Sequence, residues 1–152
     1  MSTNRRVTLE LRTARDAEHT AAAAAQFLAA LPNPPSGILH FWQHAPIFTF
    51  EILNQGQVTF FFATVPQDMV DYVKGQLTAA YPEILVKVLE HDPFVEFRQD
   101  PTPPQLVATL RQTAPHHFSL KTHQDFKETD PLSSVLSTLS KTMEGDTVLI
   151  QF

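Results

Sequence analysis

Cysteine is absent from the sequence. That excludes a disulfide framework, a thiolate metal site and a cysteine nucleophile, and leaves the redox compartment open. Glycine is scarce: the four present are isolated, so no glycine-rich loop can cradle a phosphate. The chain itself is therefore not expected to hydrolyse ATP. Basic residues are outnumbered, 11 Lys and Arg against 16 Asp and Glu, for a net charge of -5. A broad basic footprint for nucleic acid is missing, although Arg5, Arg6, Arg12 and Arg15 cluster near the start. No apolar run approaches the roughly 18 to 20 residues of a membrane helix. Met1 to Arg6 is polar and carries no signal-peptide core. These features predict a soluble, cytoplasmic chain.

What is present suits a folded domain. At 152 residues, 43% hydrophobic and 18% charged, the chain can bury one real core. Twelve prolines beside so few glycines point to rigid connections.

Val7, Leu9 and Leu11 alternate with polar residues, which predicts a half-buried strand. Ala21 to Leu31 is alanine-rich and places Ala24, Phe27, Leu28 and Leu31 on one helical face. Pro32 to Gly37 ends that helix. Ile38 to Leu53 reads as β-rich, interrupted at Pro46. Asn54-Gln55-Gly56-Gln57 reads as a turn into a strand from Val58 to Val65. That strand is apolar on both faces, so it should be central and covered on both sides. Gln67 to Tyr81 carries a helical stripe, with Gly75 inside it suggesting a close approach to the sheet. Ile84 to Glu90 reads as the next strand.

The order β-α-β-β-α-β predicts an α+β fold: a ferredoxin-like core over residues 7–90 with a mainly antiparallel sheet. A Pro-rich connection spans 92–115, with a short helix expected from Pro104 to Gln112. A second, C-terminal β-α-β unit over 116–152 should extend the sheet. It comprises a strand from His117 to Thr122, a helix opening at Asp130-Pro131 and closed by Gly145, and a strand from Asp146 to Phe152. Ending inside a strand suggests one domain of a longer protein.

Chemistry-bearing residues are many, but none falls into a site pattern. The seven histidines match no complete zinc pattern. His40 and His44 would share a face only on a helix, and their segment reads as strand. His116 and His117 point to opposite faces of a strand. Ser119, Ser133 and Ser134 lie near histidines, yet no nucleophile elbow surrounds them. Phe60-Phe61-Phe62 is better read as core than as a base-stacking platform, because the basic and glycine residues of the RNA-binding signature are missing. No catalytic, cofactor-binding or metal-ligating residue is assigned, and no cofactor is expected. Trp42, the one tryptophan, is the candidate interaction residue, with a partly buried strand position as the alternative.

Three segments, taken in order, carry a resemblance. They are Leu11-Arg12-Thr13-Ala14-Arg15-Asp16 with its helix to Leu31, the hairpin and helix from Phe50 to Pro82, and Asp130-Pro131-Leu132 through Gly145-Asp146 to Ile150-Gln151-Phe152. Together they resemble the N-terminal accessory domain of bacterial conjugative-transfer, type IV secretion-like ATPases with a HerA/FtsK-type motor. The resemblance implies a noncatalytic assembly module that docks protein partners, neighbouring subunits or the motor itself. It also implies membrane association through other parts of the full-length protein. Direct nucleic-acid binding is not expected. A free-standing ferredoxin-like protein that binds a small molecule or oligomerises is the alternative.

Overall fold

A computed structural model describes residues 5–13, 21–32, 46–95, 106–111 and 131–152. Strand β1 (Arg6–Arg12) leads to helix α1 (Ala21–Ala30), then to strands β2 (Thr49–Gln55) and β3 (Val58–Pro66). A 3-10 turn at Gln67–Met69 enters helix α2 (Val70–Ala80), followed by strand β4 (Leu85–Val88). Helix α3 (Pro131–Leu139) and strand β5 (Thr147–Gln151) complete the described elements. The strands form one open sheet in the order β4-β1-β3-β2-β5, and every neighbouring pair is antiparallel.

The α+β class and the antiparallel sheet match expectation. The sheet has five strands, because β5 pairs with the free side of β2. Backbone bonds from Phe50 N to Phe152 O (3.2 Å) and from Phe152 N to Phe50 O (2.9 Å) prolong that pairing. The His117–Thr122 strand of the expected second β-α-β unit lies outside the described residues.

Strand alternation sends two different residue sets to the two faces. On one face Leu9 stands beside Ala63, and Val7 beside Val65. Helices α1 and α2 close over this row with Phe27, Val73 and Leu77, all buried. Phe27 meets Phe50 edge-on, with ring centroids 6.0 Å apart, and the Tyr72 hydroxyl donates to the Ala30 carbonyl at 2.6 Å, tying α2 to α1. This aliphatic layer is the main core, and non-directional burial of its side chains is what fixes the helices on the sheet.

Helix α3 lies beside β5 and buries Leu139. Its C-terminal turn is pinned to the sheet where the Thr142 hydroxyl donates to Asn54 Oδ1 at 2.7 Å. The Asn54 amide in turn donates to the Thr59 hydroxyl at 3.2 Å.

Several local expectations are corrected. The hairpin turn is two residues, Gly56 (φ 56°) and Gln57 (φ 67°), not four. Positive φ at both central residues makes a turn whose twist matches the strands. Asn54 therefore stays in β2 and is completely buried, where its amide finds partners. The helix expected over Pro104–Gln112 is not formed in its described part: residues 106–111 are irregular, with Leu106 98% and Leu110 96% exposed. A short segment with nothing to bury cannot offset the cost of nucleating a helix. Gly75 is exposed with open space around it, so it makes no close approach to the sheet. Gly145 (φ 97°) stands in the turn before β5 rather than directly past α3, which already ends at Leu139.

Candidate functional site

The face of the sheet away from α1 and α2 has a different character. The same alternation that sends Leu9 to the helices sends Thr8 and Glu10 here, joined by Glu51, Leu53, Phe62 and Thr64. Register places Phe62 between two acidic residues, Glu10 on β1 and Glu51 on β2. Thr8, Glu10 and Glu51 are nevertheless buried, at 5%, 6% and 3% exposure.

A small aromatic cluster covers part of this surface. Phe94, from the turn after β4, is 2% exposed and meets Phe62 edge-on at 5.4 Å. Leu53 completes the buried cluster, with Phe60, Leu89 and Leu149 packed around it. The cover expected for the doubly apolar β3 is thus supplied within the chain itself. Asp92 sets the turn: its Oδ1 accepts the Phe94 amide at 2.8 Å, a local side-chain bond that aims the ring at the sheet.

The acidic residues are handled unequally. Glu10 Oε1 lies 2.6 Å from the Arg12 guanidinium, and that bond neutralises it. Glu51 has no such partner, and its Oε2 is buried without a hydrogen bond. Burial pushes the Glu51 carboxyl above its ordinary range. Thr64 and the charge of Arg6 oppose this in part, while Asp92 adds to it. The Thr64 hydroxyl is also 3.1 Å from that of Thr8. Arg6 directs its Nη2 to the Thr49 hydroxyl (2.5 Å) and the Thr64 carbonyl (3.0 Å), tying β1 to β2 across the end of β3. A buried carboxyl so placed can hold a proton and donate a hydrogen bond. With Glu10 paired to arginine, no acid-base pair is formed by these two.

Two other surfaces stand out. Strand β4 pairs with β1 only, so among the described residues its outer edge is open. Leu85 is 70% and Val88 43% exposed there. A hollow of about 460 Å³ runs from this strand along Lys87, Val88, Leu89, Glu90 and His91. At the far end of the sheet, a trough of about 380 Å³ between α3 and β5 is lined by Val135, Leu139, Val148 and Ile150, with Ser134 and Thr138 at its rim.

Trp42, the interaction residue expected from sequence, lies outside the described residues, as do His40, His44, His116, His117 and Ser119. Ser133 and Ser134 are on the exposed part of α3. Among the described residues, no three of His, Asp and Glu converge as metal ligands, and no helix is long and apolar enough to cross a membrane. Sequence reasoning missed Glu51, Asp92 and Phe94. A usable signal existed in Phe50-Glu51-Ile52-Leu53, a lone acid inside an apolar strand run.

A family model described as a domain of unknown function, DUF8128, matches residues 1–152. No curated protein and no solved structure matches the chain.

Proposed function

We propose that this chain, which belongs to the DUF8128 family, is a noncatalytic protein-interaction and assembly domain of a larger conjugative-transfer or type IV secretion-like ATPase. The observation that carries this reading is the β4 edge. Unpaired backbone donors and acceptors on an edge strand are a template for another strand, and here Leu85 and Val88 add exposed apolar surface. The hollow from Lys87 to His91 continues that surface beyond the strand. The resemblance of the three sequence segments to such accessory domains supports a larger assembly of that kind, with the partner being a neighbouring subunit or the motor.

The order β4-β1-β3-β2, with α1 after β1 and α2 after β3, supports reading the first four strands as a ferredoxin-like unit to which α3 and β5 are added. The net charge of -5 supports protein rather than nucleic acid as the partner. In this reading the domain sits at the cytoplasmic side of a membrane through other parts of the full-length protein.

The test is a photo-crosslinking amino acid placed at Leu85 in the full-length protein in its native cell. Crosslinks to the motor or to neighbouring subunits are expected. A Leu85 probe that captures neither, while the protein remains folded, would overturn the proposal. The trough between α3 and β5 favours a second reading, a free-standing protein that oligomerises or takes a small apolar ligand. That reading predicts that crosslinks gather at Val135 instead.

A further inference from the structure

Phe94 reaches the opposite face from the turn at 92–94, immediately before the helical residue Val95, and its seat is the ring of Phe62 with Leu53. Directly opposite Phe62, on the neighbouring strand β2, is Glu51. Side chains so paired have Cβ atoms only about 5 Å apart, so Glu51 and the seat of Phe94 are neighbours. Asp92, which holds the turn through the Phe94 amide, acts on the same carboxyl by like charge.

We propose that Glu51 is a proton-operated catch for the Asp92–Phe94 turn, holding it closed on the sheet when neutral and loosening it when charged. The orphaned Oε2 carries the argument. A neutral carboxyl tolerates that buried place, whereas a carboxylate there needs hydrogen bonds or water. Opening the turn admits water and separates the two acidic groups, so ionisation favours the open state.

The charged groups that act on Glu51 among the described residues are Arg6 from β1 and Asp92 from the turn. Facing it from β3 is Thr64, and its β5 neighbour in the register is Gln151, both uncharged. Arg6 is committed to Thr49 and Thr64 and only partly offsets the charge. Burial and Asp92 both raise the Glu51 carboxyl above its ordinary range, which moves the catch toward neutral pH.

The experiment is amide hydrogen exchange of the full chain across pH, corrected for intrinsic rates, read at Phe94 and Val95 and compared with Val73 and Leu77 in α2. Protection at Phe94 and Val95 should fall measurably as Glu51 ionises, while α2 stays unchanged. In E51Q the pH dependence at Phe94 should vanish with protection retained, and in D92N it should shrink. An unaltered pH profile in both variants would overturn the proposal. So would a loss of protection that appears equally in α2, because that is global unfolding.

Discussion

The two faces of one sheet are built on opposite rules. Beneath α1 and α2, Leu9, Ala63, Val65, Val73 and Leu77 form a layer with no polar atom to satisfy. On the other face Thr8, Glu10 and Glu51 are as deeply buried, with one aromatic cap at Phe94. The first face gains from every methylene it hides. The second must also desolvate polar groups, and for Glu51 Oε2 it does so without return. The lesson is that burial alone does not locate stability: the helical face holds the fold, and the opposite face stores a tension that protons can release.

The sharpest way to break this comparison is Leu9→Ala. The side chain is completely buried under two helices that cannot follow it, so a loss of about 2–5 kcal/mol is expected in chemical denaturation. Phe94→Ala should lose less, about 2 kcal/mol, although the ring is larger. Its turn can leave the sheet, and the loss is bounded by what holds the turn down. If the two substitutions cost the same, the faces are not different in kind. Thr142→Val removes the donor to Asn54 Oδ1 and orphans a buried acceptor, with an expected cost of about 1–2 kcal/mol.

Glu51→Gln tests the tension itself. The folded carboxyl has a raised pKa, so the stability its neutral form provides is complete below the ordinary carboxyl range and is lost as pH rises through the raised value. The variant should match the wild type in acid and exceed it by about 1 kcal/mol at neutral pH, read as a difference in Tm that grows with pH. A variant less stable than wild type at neutral pH would contradict this account. The smallest effect is expected at Gln57, whose positive φ strains its backbone. Gln57→Gly relieves that strain but gives up the long amide hydrogen bond to the Thr142 carbonyl (3.4 Å), so a net gain of no more than about 0.5 kcal/mol is expected.

Much of the helical face was legible in the sequence. Val7-Leu9-Leu11, the alanine-rich run around Phe27 and the stripe through Val73 and Leu77 announce their elements by period alone. The inference that β3 is covered twice was also available, because Phe60, Phe62 and their neighbours leave no polar side. The identity of the second cover was not. Phe94 comes from a turn with no periodicity, and Asn54 read as a turn residue until its partners Thr59 and Thr142 were in place. The 106–111 segment shows the converse, since its apolar spacing suggested a helix that has no surface to meet.

Sequence alone determined that this is a cysteine-free, acidic α+β chain whose strands and helices alternate, because side-chain period and turn chemistry are local properties. Only the tertiary structure decided that β5 joins β2, that Phe62 stands between Glu10 and Glu51, and that one of those acids is paired with arginine while the other keeps a buried Oε2 without a hydrogen bond. Those outcomes depend on long-range register and on which atoms are removed from water together, and neither is a property of any short stretch of chain.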